Sequence, residues 1–312
     1  MLLEYGVQMA MLYGAVEGGG TKFVCAVGTS PTGILDSTAI PTTDPGETLA
    51  GCLAFFRNAQ DRHGALCALG VACFGPLDLR RGSPDFGRVL ETPKRGWSGA
   101  PIVEPLSTGL GVPVALDTDV GAAALGEWRL GAGRGLDCLA YVTVGTGIGG
   151  AMAPQDSRAG RLMHPEMGHL PVRRDPRDQR FAGVCPFHGD CVEGLASGPA
   201  VRARWGCDLA ALPSGHEGRS IVAGYLGQLA ASIALLLSAQ RIAIGGGVMT
   251  DAAMLPLLRA ATYDCLRGYL APLKMRESLD QYLVAPALGA GSAIAGAVLM
   301  AQELRTGARL HA

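Results

Sequence analysis

Residues 13–27 read Tyr13-Gly14-Ala15-Val16-Glu17-Gly18-Gly19-Gly20-Thr21-Lys22-Phe23-Val24-Cys25-Ala26-Val27. Tyr13 to Glu17 is a short apolar strand, Gly18 to Lys22 a glycine turn, and Phe23 to Val27 a second strand. This order is strand, turn, strand, and it differs from the strand–turn–helix order of P-loops and dinucleotide fingerprints. The pattern returns downstream: Tyr141-Val142-Thr143-Val144 is a strand, Gly145-Thr146-Gly147-Ile148-Gly149-Gly150 a turn, and Ala151-Met152-Ala153 the start of another strand. Either stretch alone also suits an ordinary β-hairpin. The functional alternative has a physical basis. Glycines let the backbone approach a phosphate without a Cβ in the way, and successive N–H groups with a Thr hydroxyl form an anion-binding concavity. Two such hairpins, one per lobe, would hold a polyphosphate between them.

Working outward, a chain of 312 residues suits two lobes of roughly 100–200 residues each. Net charge is −1, and the 26 basic residues form no run longer than a pair, which excludes a polyphosphate-backbone partner such as nucleic acid. Aromatic residues make up 5% and apolar residues 48%, with 46 glycines, a composition that favours an α/β protein with many tight turns. Met1 to Gln8 carries Glu4 and no Lys or Arg, so it lacks the basic region of a secretory signal, and a cytoplasmic location is expected. The apolar run from Ile221 to Ala239 is interrupted by Gly224, Gln228 and Ser232 and leads into Ile242-Ala243-Ile244. It predicts a buried core helix and no membrane partner. The nine cysteines are an odd, scattered set, read as buried small hydrophobes apart from Cys185 and Cys191.

Two further segments carry chemistry. Pro113 to Leu116 reads as a strand, Asp117-Thr118-Asp119 as a turn and Val120 to Leu130 as an Ala-rich helix. A carboxylate at such a junction suits a helix N-cap as well as a catalytic base. The second segment contains His164-Pro165-Glu166-Met167-Gly168-His169 and Cys185-Pro186-Phe187-His188-Gly189-Asp190-Cys191-Val192-Glu193-Gly194. Cys185, His188 and Cys191 fall at three-residue steps with His169 upstream. Two thiolates and two imidazoles would fill a tetrahedral zinc shell with no open position, although the spacing is not that of a zinc finger and chance proximity is the alternative.

Glu17-Gly18-Gly19-Gly20-Thr21-Lys22 resembles the first phosphate loop of the ROK sugar kinases, and Glu17 with Lys22-Phe23 is similar to its fructokinase branch. The resemblance implies a two-lobed α/β fold of the actin/hexokinase/Hsp70-like (ribonuclease H-like) ATPase type. Residues 11–118 would form the small lobe, completed by a C-terminal helix at about 290–312, and residues 119–289 the large lobe. Val142 to Gly150 would be the second phosphate loop. Ile242 to Val248 resembles the adenosine motif, and Leu288 to Ala297 resembles the closing helix with its small-residue face. Nucleotide contacts are implied at Gly19, Gly20, Thr21, Lys22, Gly145, Thr146, Gly147, Gly245, Gly246 and Gly247. Asp119 to Glu127 is similar to the family segment whose Asp is the base, which favours Asp119 over Asp117. Thr118 would donate a sugar hydrogen bond in place of the family's Asn, and Gly121, in place of a second Asn, is expected only to loosen the helix start.

The same resemblance implies zinc at His169, Cys185, His188 and Cys191, with His169 bridging metal and sugar. Glu166 and Glu193 would accept sugar hydroxyls, and Phe74 and Gly75 would line the sugar site. Gly70 to Asp78 and Thr92 to Trp97 also resemble the fructokinase branch; glucose-using relatives tend to have Pro-Asn-Leu where Pro93-Lys94-Arg95 stands. The implied activity is transfer of phosphate from ATP, with Mg²⁺, to D-fructose, giving fructose 6-phosphate. Kinases for glucose, mannose or N-acetylhexosamine are the alternatives. Sugar-sensing regulators of the family are disfavoured, because the stretch before Glu17 is too short for a helix-turn-helix. The expected partners are a sugar, a nucleotide and a second copy of the chain.

Overall fold

The computed structural model describes residues 11–154 and 162–307. The segment Met1 to Gln8 and the end of the tail helix at 308–312 lie outside these residues. The chain divides into two compact units, one holding the residues up to Ala122 and from Ala293 onward, the other Ala123–Ser292. The sequence reading places these divisions at 118/119 and 289/290.

In the first unit, β1 (Leu12–Gly18), β2 (Lys22–Ser30), β3 (Gly33–Pro41), β4 (Leu66–Cys73) and β5 (Val114–Thr118) form one sheet in the order β3-β2-β1-β4-β5. The β1/β2 and β2/β3 pairs are antiparallel, whereas β4 joins β1 and β5 joins β4 in parallel. Strand pairing extends through Gly18↔Phe23, so the glycine turn is tighter than the sequence suggests. α1 (Pro45–His63) is set by Asp44, whose carboxylate accepts the Glu47 N–H at 3.1 Å, with a proline in its first turn. It buries Leu49, Cys52 and Phe56 against Phe23, Val27 and Leu69. α2 (Val103–Leu110) adds Leu106 to that core, and α3 (Asp119–Leu130) starts in this unit.

The second unit repeats the hairpin plan. β6 (Leu139–Val144) and β7 (Ile148–Ala153) are antiparallel, β8 (Ile242–Gly245) lies parallel to β6, and the short β9 (Leu283–Val284) lies parallel to β8. The strand order is β7-β6-β8-β9. The helices here are α4 (Val192–Ala196), α5 (Gly198–Trp205), α6 (Gly218–Leu237), α7 (Met254–Leu266) and α8 (Leu279–Tyr282). α6 is the helix among the described residues long and apolar enough to cross a membrane. Its Ile221, Val222, Leu226 and Leu229 are buried in the core of the unit with Ile242, Leu258 and Leu283.

α9 (Ser292–Thr306) brings the chain back to the first unit. The small-residue face noted in the sequence has a steric cause. A Cβ on Gly296 would stand 1.8 Å from the Ala122 carbonyl, and one on Gly70 would stand 1.8 Å from that of Ala297. α9 therefore meets α3 at the first of these points and β4 at the second, backbone to backbone.

Candidate active site

In the first unit the phosphate-loop candidate is built so that its carbonyls are occupied. Phe74 N–H donates to the Gly18 carbonyl at 2.8 Å, the Thr42 hydroxyl to that of Gly19 at 2.8 Å, and Thr42 N–H to that of Thr21 at 3.0 Å. The Lys94 ammonium takes the Gly20 carbonyl. Oxygen atoms that would repel an anion are thus tied to protein donors, while Gly20, Thr21 and Lys22 stay exposed. Beneath the loop, the buried Phe23 and Trp97 rings lie 5.4 Å apart and Phe74 lies 5.1 Å from Trp97, an aromatic base in tilted and edge contacts. Phe74 is therefore a support of the loop as placed here. Gly75 follows it in the same segment.

Asp119 opens α3 in this unit. Its Oδ1 accepts the Val120 N–H at 2.9 Å, which favours the carboxylate, but burial outweighs that bond and pushes the group up to about 6, with Asp117 adding in the same direction. Glu17 is pushed up to about 7, chiefly by burial and then by Asp119, with Lys22 opposing. Asp119 therefore acts electrostatically on Glu17, the residue that leads into the loop. Thr118 is buried, and its hydroxyl accepts the Gly121 N–H at 3.0 Å, so the structure commits it to starting the helix. The reading of Gly121 needs correction. A Cβ there would stand 2.5 Å from the Asp117 carboxyl carbon, so glycine makes room for that buried carboxylate instead of merely loosening the helix.

In the second unit, the loop Gly145 to Gly147 is clasped at both ends. Gly198 N–H, in the first turn of α5, donates to the Gly145 carbonyl at 2.8 Å, and Ile148 N–H donates to Glu193 Oε2 at 2.8 Å. A Cβ on Gly168 would lie 2.0 Å from the Ile148 carbonyl, so the helical turn Met167–His169 presses on the same residue. Gly246 has φ +96° and lies against the Val144 backbone, where a Cβ would be 2.5 Å from the Val144 carbonyl. The structure thereby brings Gly145, Thr146, Gly147, Gly245, Gly246 and Gly247 to one end of β6 and β8. Gly19, Gly20, Thr21 and Lys22 come together in the first unit.

The Cys/His cluster assembles beside this loop. The ligand atoms of His169, Cys185, His188 and Cys191 all lie within 4.8 Å of one another. Cys185 Sγ is 3.6 Å from His169 Nδ1 and 3.7 Å from His188 Nδ1, and Cys191 Sγ is 3.6 Å from His169 Nδ1. A tetrahedron with Zn–S of about 2.3 Å and Zn–N of about 2.0–2.1 Å has S–N edges of about 3.6 Å. The knuckle is closed by paired Cys185 and Gly189 backbone bonds, and Val192 N–H donates to the Leu170 carbonyl at 3.0 Å, tying the His169 turn to α4. Glu166 is exposed and lies 3.4 Å from His164 Nδ1.

One further carboxylate escaped the sequence reading except as a pattern marker. Glu127 is fully buried and accepts from the N–H groups of Ala132, Ala287 and Leu288 and from the Ser292 hydroxyl, at 2.7–2.9 Å. Its signal in the sequence is an acid on an otherwise Ala- and Leu-rich helix face.

The chain belongs to the ROK family: the family's sequence model matches residues 13–304. It is 40% identical over 294 residues to a fructokinase of Zymomonas mobilis, covering 93% of this chain and 96% of that protein. It is 35% identical over 299 residues to a fructokinase of Lactococcus lactis, covering 96% and 99% respectively. Among solved structures, a ROK hexokinase from Thermus thermophilus superposes with a TM-score of 0.74 at 27% identity, covering 95% of this chain and all of that one. The expected actin/hexokinase-like α/β fold is borne out.

The clasp at Ile148 is directly testable. Glu193→Ala leaves its N–H without the charged acceptor, a loss of about 1.5–3 kcal/mol. Hydrogen exchange followed by mass spectrometry should show residues 147–150 exchanging at least about tenfold faster than in wild type. Unchanged protection would mean that the bond does not hold the loop.

Proposed function

We propose that the protein is an ATP-dependent fructokinase that converts D-fructose to fructose 6-phosphate with Asp119 as general base. The observation that carries this reading is the placement of Asp119: a desolvated carboxyl, raised to about 6, acting electrostatically on Glu17 at the foot of an anion-receptive loop. Phosphoryl transfer asks the protein mainly to align an acceptor hydroxyl, balance charge and accept one proton. Asp119 would take the proton of the fructose 6-hydroxyl as its oxygen bonds to the γ-phosphorus and the bond to the ADP oxygen breaks. A carboxyl raised toward neutrality is a better proton acceptor than an ordinary aspartate. Mg²⁺ enters with the nucleotide, held by phosphate oxygens and water. Fructose as the acceptor is supported by the two fructokinase relatives and by Pro93-Lys94-Arg95 in the first unit.

Glu166, His169 and Glu193 are the proposed sugar ligands in the second unit, with Glu193 Oε1 available while Oε2 holds Ile148. Zinc is assigned to His169, Cys185, His188 and Cys191, whose donor types and edge lengths suit a four-coordinate ion. It supplies structure, since four protein ligands leave no position for an activated water. His169 uses Nδ1 toward the cluster, which leaves Nε2 for a sugar hydroxyl.

Two measurements test these assignments. With Mg-ATP and a panel of hexoses, ADP release should depend on sugar and be fastest, by kcat/KM, with fructose. Asp119→Asn should fold normally and lose turnover by a factor on the order of 10²–10⁴. A higher kcat/KM for glucose or N-acetylglucosamine would overturn the fructose assignment, and sugar-independent turnover would overturn the kinase. Metal analysis should find one zinc per chain in wild type and little in the double variant Cys185→Ser with Cys191→Ser. Substoichiometric zinc in wild type, or full retention in the variant, would contradict the site.

A further inference from the structure

Lys94 stands in the segment that resembles the fructokinase branch and reaches the first phosphate loop. Its Nζ donates to the Gly20 carbonyl and lies 5.8 Å from the centroid of the Phe74 ring. The segment that presents it is anchored. Thr92 N–H donates to Ser98 Oγ at 3.1 Å, Trp97 N–H to the Lys94 carbonyl at 3.1 Å, and the buried Trp97 indole to the Thr43 carbonyl at 2.8 Å. A flexible surface lysine would not be tied to a turn held in this way.

Charge makes the position informative. Glu17 and Asp119 place two carboxyl groups at the foot of the loop, with Asp117 acting on Asp119 from behind. Lys22 at the far end of the loop acts on Glu17 in the opposite direction to Asp119. Lys94 adds a second cation to this loop, in addition to the Mg²⁺ that enters with the nucleotide. An ammonium has three donors, and Gly20 uses one.

We infer that Lys94 is a phosphate-contacting catalytic residue, its ammonium pairing with the terminal phosphoryl group of the nucleoside triphosphate held by the Gly18 to Lys22 loop. The inference rests on the kinase reading above. The terminal group is the one concerned because it must come within reach of Asp119, which acts on Glu17 at the foot of the same loop. Lysine serves phosphate as a compact point charge on a flexible stem, able to follow the group as it moves to the sugar.

The test separates this role from simple support of the loop. Calorimetric titration of the full-length protein, wild type and Lys94→Met, with AMP-PNP and with ADP isolates the contribution of the terminal phosphate. AMP-PNP affinity should fall about 10- to 100-fold in the variant, in the range of a lost charge-assisted contact, while ADP affinity stays within about twofold and reports an intact fold. In steady state, kcat should fall while KM for fructose holds. Equal loss for both nucleotides would make Lys94 a loop prop, and no change in either, or a rise confined to the fructose KM, would likewise overturn the assignment. Absence of fructose-dependent ADP release from wild type would instead overturn the kinase reading on which it rests.

Discussion

Asp119 sits where two opposing effects meet. The start of a helix and the Val120 N–H favour its charged form, and burial disfavours it; burial wins, and the carboxyl rises to about 6. The local structure is arranged around keeping the group there. Thr118 starts the helix with its hydroxyl, which leaves Asp119 free of the capping duty a first-turn Asp would otherwise take in full. Gly121 gives up its side chain so that the Asp117 carboxylate can lie behind the turn. Gly296 and Ala122 meet without a Cβ, so α9 packs directly on the residues that follow Asp119 in the chain.

The second unit solves a different problem, that of holding a glycine turn still. Gly145 and Ile148 are gripped by Gly198 and Glu193, which belong to consecutive helices, and Gly168 presses on Ile148 from the turn that carries His169. The four Cys and His residues span that turn and the start of α4. A metal there would set the loop through two short covalent paths, one through His169 to Gly168 and one through Cys191 to Glu193. Local folding coupled to metal binding follows from such geometry.

Much of this was legible in the residues themselves. The two strand–turn–strand stretches, the helix after Asp119 and the buried nature of α6 follow from periodicity and from glycine placement. β3 is not legible in the sequence, because Gly33 to Pro41 does not alternate apolar with polar residues, although its burial alternates from Leu35 onward. The tertiary duties of Glu127 and Glu193 were also beyond the sequence. Each depends on a backbone N–H brought close by folding, the Glu193 acceptor lying 45 positions from Ile148 and the Glu127 acceptor 160 from Ala287. Lys94 read only as a marker of the fructokinase branch, since nothing local announces a contact with Gly20, 74 residues away.

The pH dependence of kcat/KM for fructose tests the central claim most directly. A protonated Asp119 cannot accept the hydroxyl proton, so activity must be lost as pH falls through its raised value, with a step centred at about 6. The account predicts that this step is present in wild type and absent from the residual activity of Asp119→Asn. The same step in the variant, or a wild-type profile without it, would contradict the assignment of the base.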